Sequence, residues 1–119
     1  MAASERLICE AAELADGGKG VRFEVDYHGR SAPAFAVRYR GEVRAYLNRC
    51  VHVAMELDWR EGEFFDQSGL YLMCATHGAM YGPENGACLG GPCKGGALVP
   101  LATTEREGRV FLIEQGKET

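Results

Sequence analysis

Cys50-Val51-His52 and, after an interval of twenty-one residues, Cys74-Ala75-Thr76-His77-Gly78 decide how this chain is read. Each half brings one thiolate and one imidazole together on a short loop. Four such ligands close one tetrahedral metal site or serve two tetrahedral irons. A zinc site of two cysteines and two histidines has the right count. Zinc sites, however, usually pair cysteine with cysteine and histidine with histidine. Here the types interleave, as Cys-x-His and Cys-x₂-His. Interleaving suits a binuclear cluster in which one iron takes both thiolates and the other both imidazoles. A zinc-stabilised binding module is the competing reading.

Outward from these motifs the chain reads as strands. Phe23, Val25 and Tyr27 alternate with Arg22, Glu24 and Asp26, and Phe35, Val37 and Tyr39 alternate with Ala36, Arg38 and Arg40. Val43, Ala45 and Leu47 follow as a third inward set. Period two over such runs marks half-buried strands. With turns at His28-Gly29 and Arg40-Gly41-Glu42, they make an antiparallel meander with one wet face. Upstream, Arg6–Cys9 is a short strand and Glu10–Leu14 a turn of helix ended by Asp16-Gly17-Gly18. Downstream, Asp66-Gln67-Ser68-Gly69 joins a hairpin of Glu63–Phe65 and Leu70–Met73. Pro83-Glu84-Asn85-Gly86 signals another, with a type I′ turn at Asn-Gly. Gly90-Gly91-Pro92 cannot continue a central strand. Leu98–Thr103 and Arg109–Gln115, joined near Glu107-Gly108, form a final hairpin. The fold class is all-β, one domain over residues 1–119, with both Cys/His loops in its second half.

Charge and composition narrow the function. The net charge is −4 and the basic residues are scattered, which excludes nucleic acid as a partner. An acidic surface suits a partner with a basic docking patch. No run approaches the roughly 18–20 apolar residues of a membrane span, and the start of the chain lacks an apolar signal core. A soluble, cytoplasmic protein is expected. Five cysteines are an odd count, a poor match to a disulfide framework. Cys88 and Cys93, flanking Leu89-Gly90-Gly91-Pro92, are expected as two semi-buried thiols, and Cys9 as a core residue. His28 reads as a solvated turn residue and Trp59 as packing beneath the first loop. The chain shows no Ser-His-Asp arrangement, phosphate loop or catalytic carboxylate pair. It offers no visible site for an organic substrate, so an electron-transfer component is expected rather than an enzyme in its own right.

The paired motifs resemble those of the Rieske domain family, Cys-x-His and Cys-x₂-His-Gly. Leu57 and Gly90-Gly91-Pro92 also fall where Rieske ferredoxins have equivalents. The resemblance runs from about Leu7 to Ile113. It implies stacked antiparallel sheets, a smaller cluster-binding subdomain over about residues 48–93, and one [2Fe-2S] cluster. By resemblance, Cys50 and Cys74 bind the inner iron, His52 and His77 bind the outer iron, and the turn ending in Pro92 covers a third side. Neutral imidazoles leave such a site less negative than four thiolates would, which raises its potential. Respiratory members carry His-Gly-Ser-x-Tyr after the second loop, and both hydroxyls donate toward the cluster. Here the stretch is His77-Gly78-Ala79-Met80-Tyr81, so Tyr81 keeps one hydroxyl and Ala79 lacks the other. Respiratory members also staple the two loops with a disulfide, and Met55 and Thr76 stand at those positions here. The resemblance therefore implies a soluble one-electron carrier of low-to-intermediate potential. It would run between a reductase and a terminal redox enzyme such as an oxygenase. A small Rieske subunit of an enzyme such as nitrite reductase is the alternative.

Overall fold

The computed structural model describes residues 4–27, 29–49, 57–58, 61–74, 78–91 and 96–114. Three long strands occupy the first half: β1 (Ser4–Glu10), β2 (Val21–Tyr27) and β3 (Arg30–Tyr39). A single 3-10 turn, Ala11–Glu13, lies between β1 and β2. After β4 (Glu42–Leu47) come three short strands, β5 (Leu72–Met73), β6 (Met80–Tyr81) and β7 (Cys88–Gly90). The chain closes with β8 (Pro100–Leu101), β9 (Thr103–Arg106) and β10 (Arg109–Glu114). They form three antiparallel sheets, ordered β1-β10-β9, β2-β3-β4-β8 and β5-β6-β7. The all-β expectation holds. No helix among the described residues is long and apolar enough to cross a membrane.

Two of the connecting turns follow directly from their residues. Arg40 and Gly41, with φ of 52° and 83°, link the paired residues Tyr39 and Glu42. Glu107 and Gly108, with φ of 53° and 75°, link Arg106 and Arg109 in the same way. Positive φ at both central residues is the type I′ geometry, whose twist matches that of the flanking strands.

The meander departs from expectation. It has no wet face along β3, where Ala34, Phe35, Ala36 and Val37 are all fully buried. Register explains this: Phe35 lies opposite Tyr46 and Ala36 opposite Ala45, so Phe35, Val37 and Tyr46 share one face. Those three pack with Leu57, Phe64, Leu72, Cys74, Ala79, Tyr81 and Leu98, on the side of the β5-β6-β7 sheet. The opposite face, with Ala32, Ala34, Ala36, Ala45 and Leu47, packs with Val110 and Leu112 of β10. The central sheet is thus covered on both sides. Alanines that look neutral in the sequence supply a flat surface for close sheet packing. Phe35 stacks on Phe64 with ring centroids 4.0 Å apart, tying the central sheet to the segment that enters β5.

Two downstream expectations need correction. Leu98–Thr103 is not one strand of a final hairpin. Pro100 and Leu101 pair with Tyr46 and Ala45 of β4, whereas Thr103–Arg106 pairs with β10. The segment crosses from one sheet to another, and Pro100, which has no N–H, suits an edge position. The β6–β7 hairpin exists, but Asn85 does not adopt the positive φ of a type I′ turn. Instead Asn85 Oδ1 accepts the Ala87 N–H at 2.9 Å, and the Gly86 N–H donates to the Gly82 carbonyl at 2.7 Å. That local side-chain bond stabilises a longer loop.

Candidate metal centre

Cys74 is the one proposed ligand within the described residues; Cys50, His52 and His77 lie outside them, as does Pro92. It follows β5 directly and is fully buried. Its N–H donates to the Ala79 carbonyl at 2.8 Å, and its own carbonyl accepts the Gly78 N–H at 2.8 Å. These two bonds close a tight loop from Cys74 to Ala79, with Gly78 in the left-handed region at φ 74°. Cys74 is not disulfide-bonded and sits at the buried end of that loop, whereas Gly78 at its other end is exposed.

A third loop closes on the second. Gly91, with φ 85°, approaches so nearly that a β-carbon there would lie 2.9 Å from Ala79 Cα and 3.0 Å from the Gly78 carbonyl oxygen. Gly90 pairs with Met80, and Tyr81, fully buried, pairs with Leu72 and Cys88. Ala79 is also fully buried. The residues singled out after the second motif, Gly78, Ala79 and Tyr81, therefore surround the Cys74 loop.

The first loop is described only at its base. Leu57 is fully buried beside Cys74 in one apolar cluster. Asn48 is buried on the other arm, and its Oδ1 accepts the Leu57 N–H at 2.8 Å. Asn48 Nδ2 donates to Asp58 Oδ1 at 3.0 Å, while Asp58 Oδ2 accepts the Gly62 N–H at 3.0 Å. Sequence reasoning missed this network. Its only signal is a polar residue just outside each end of the first motif.

Residues 4–105 match the model of the Rieske [2Fe-2S] domain family. The chain belongs to that family. Its cofactor is accordingly one [2Fe-2S] cluster, and the described part of the Rieske site fits it. A buried cysteine is fixed by backbone bonds, apolar residues pack around it, and Gly91 lies against its loop. Burying a thiolate among Leu57, Leu72 and Leu98 is unfavourable unless a metal takes its charge. None of the curated proteins matches this chain. Among solved structures, the Sphingomonas yanoikuyae B1 ferredoxin matches with 23% identity and a TM-score of 0.72, covering 95% of this chain and all (100%) of that one. The ferredoxin of carbazole 1,9a-dioxygenase from Nocardioides aromaticivorans IC177 matches with 18% identity and a TM-score of 0.70, covering 97% and 100%. The terminal oxygenase of carbazole 1,9a-dioxygenase from Novosphingobium sp. KA1 shares the fold at 24% identity and a TM-score of 0.71. That match covers 96% of this chain and 30% of the oxygenase.

Cys9 is buried between sheets, as expected, and burial pushes its thiol up to about 11. Cys88 is disulfide-bonded, against the expectation of a free thiol there; its partner lies outside the described residues. An odd cysteine count rules out complete pairing but not a single bridge. His28, Trp59, Met55 and Thr76 lie outside the described residues.

Proposed function

We propose that this Rieske protein is a one-electron carrier between a reductase and a terminal enzyme such as an oxygenase. In this reading Cys50 and Cys74 hold the inner iron and His52 and His77 the outer one, within a cluster-bearing subdomain of about residues 48–93. The observation that carries it is the gradient across the second loop. Cys74 is fully buried and not disulfide-bonded, and Gly78, four positions on, is exposed. A site anchored by a buried cysteine and opening toward solvent at the Gly78 end of its loop gives a docked partner a short path. Bound there, the cluster takes up and gives back single electrons. The chain's own contribution is to fix ligand geometry through the Cys74–Ala79 bonds and to exclude water on the inner side with Leu57, Leu72 and Leu98. Two of the similar solved structures are ferredoxins matched over their whole length, which supports the carrier reading. We place the protein in the cytoplasm, where a reducing poise keeps ligand thiols available for iron; the bridge at Cys88 is an exception to that expectation.

The test is metal analysis, electrochemistry and reoxidation kinetics of protein purified without oxygen. Two irons and two acid-labile sulfides per chain are expected, with a reduced EPR signal whose average g lies below that of all-cysteine clusters. Because Ala79 cannot donate a hydroxyl hydrogen bond, the midpoint should fall toward the lower part of the roughly −150 to +300 mV Rieske span. The reduced protein should be reoxidised by a Rieske oxygenase. Colourless protein with stoichiometric zinc would end the ligand assignment, and a midpoint at the respiratory end would end the account of Ala79.

A further inference from the structure

We propose that Asn48 and Asp58 form a buried brace that fixes the base of the first ligand loop, which makes Asn48 a positioning residue for Cys50 and His52. The inference rests on the ligand assignment above. Asn48 stands two residues before Cys50, and Leu57 and Asp58 stand where the chain leaves that loop. One carboxamide joins the two arms, accepting from the Leu57 N–H at 2.8 Å and donating to Asp58 at 3.0 Å. The brace is itself anchored. The Asn48 N–H donates to the Pro33 carbonyl of β3 at 2.9 Å, and the Gly62 N–H donates to Asp58 Oδ2 at 3.0 Å. Gly62 in turn accepts the Gly20 N–H at 2.8 Å, and Arg22 Nε of β2 lies 3.6 Å from Asp58 Oδ2.

Burial makes this arrangement specific. The Asp58 side chain has no solvent exposure (0%) and Asn48 has 1%. A dry carboxylate is unfavourable unless its lone pairs are met, and a pair of leucines would close the same gap with less risk. What the polar pair adds is direction. Each carboxyl and carboxamide oxygen and the amide nitrogen meets a partner, so the two arms meet in a single register and the loop leaves them from fixed points. The second loop holds Cys74 by its own backbone bonds, and at the base of the first loop the Asn48 side chain bonds across from one arm to the other. Positioning of the first-loop ligands then depends on this brace, as outer hydrogen bonds orient metal ligands generally.

The pair also allows a swap that tests it. In Asn48→Asp a second carboxylate faces Asp58. In Asp58→Asn an amide must face either the Asn48 Nδ2 or the Gly62 N–H with its own donor. The double variant Asn48→Asp/Asp58→Asn restores the hydrogen bonds to Leu57, to Gly62 and between the two side chains, with donor and acceptor exchanged at unchanged net charge, while Arg22 then faces an amide oxygen. The cluster-loaded proteins are compared for iron release to a chelator, for the EPR spectrum of the reduced state, and for thermal unfolding. Each single variant is expected to release iron roughly ten- to a hundredfold faster, with shifted or broadened EPR lines. The swap is expected to return both toward wild type. Should Asn48→Asp not fold, Asp58→Asn against the double variant carries the same comparison. Folded single variants with wild-type release and spectra would overturn the brace, as would a swap no better than the singles. A wild-type protein without iron would overturn the ligand assignment, and the brace with it. Loaded wild type with unmoved variants would overturn the brace alone.

Discussion

Gly91 shows how little room the site leaves. Its φ of 85° is unfavourable for any residue with a β-carbon, and the atoms that carbon would meet, Ala79 Cα and the Gly78 oxygen, are backbone. Neither can rotate away. Gly29 has a similar φ of 78°, but nothing lies within 4 Å of its would-be β-carbon. Gly29→Ala should therefore cost only about 1 kcal/mol, while Gly91→Ala should cost on the order of 2–3 kcal/mol and speed cluster loss. Urea denaturation of the two variants beside wild type checks the difference; equal losses would mean that the third loop yields freely. At this scale the sequence was informative where spacing carries chemistry. Cys74, Gly78, Ala79 and Tyr81 are found around one loop because the Cys-x₂-His motif and the residues after it are contiguous. Asn48 and Asp58 were not legible, since they meet only once the loop folds and nothing local distinguishes a buried aspartate from a surface one. The bridge at Cys88 was not legible, because a chain read as cytoplasmic is expected to keep its thiols reduced.

Between elements, Arg38 of β3 makes several connections at once. Its Nε donates to the Leu14 carbonyl at 2.8 Å and Nη1 to the Gly41 carbonyl at 3.0 Å. Nη1 and Nη2 also grip Glu105 of β9 at 3.1 and 2.9 Å, joining the central sheet to the β1-β10-β9 sheet. Hydrogen bonding from Arg38 holds the Glu105 carboxyl below its usual range. Arg38→Lys keeps the charge but replaces a planar fork with one ammonium that cannot reach all these acceptors. A loss of roughly 2 kcal/mol is expected, read from the urea midpoint, and a loss below a few tenths would show that the two sheets hold by apolar packing alone. Strand positions were legible because apolar residues recur at every second position of the sequence in β2, β3 and β4, although burial alternates only along β2. Which face each strand turned inward was not. The pattern ranks side chains by hydrophobicity, and it passed over the alanine face of β3 that sits against β10. The switch between sheets at Leu101–Thr103 was likewise invisible, since a run of strand-forming residues carries no record of its partner.

The molecule as a whole should weaken in alkali through two buried groups. Burial raises the Tyr46 phenol to about 12 and the Cys9 thiol to about 11, against 10.0 and 9.0 for the free groups. In the unfolded chain both lose their protons earlier, so the folded state holds the extra protons and stability falls as pH rises. The contribution is complete below about pH 9, and it is lost progressively up to about pH 12, at up to roughly 1.4 kcal/mol per pH unit for each group. Tyr46→Phe removes one of these terms, together with the bond from its hydroxyl to the Pro83 carbonyl at 2.6 Å. That variant should be less stable at neutral pH by about 1–3 kcal/mol, yet decline less steeply in alkali. Urea midpoints across this range check both, and parallel slopes for variant and wild type would remove Tyr46 from the account. The same bond joins β4 to the loop between β6 and β7, and Cys74 lies in one apolar cluster with Phe35, Tyr46 and Leu98. A proposed iron ligand is thus also a member of the core. Under that assignment, a newly made chain that misses its iron is left with a flaw at its centre, not at its edge. Proteases should clear such chains first, so the supply of clusters would set how much of the protein a cell can keep.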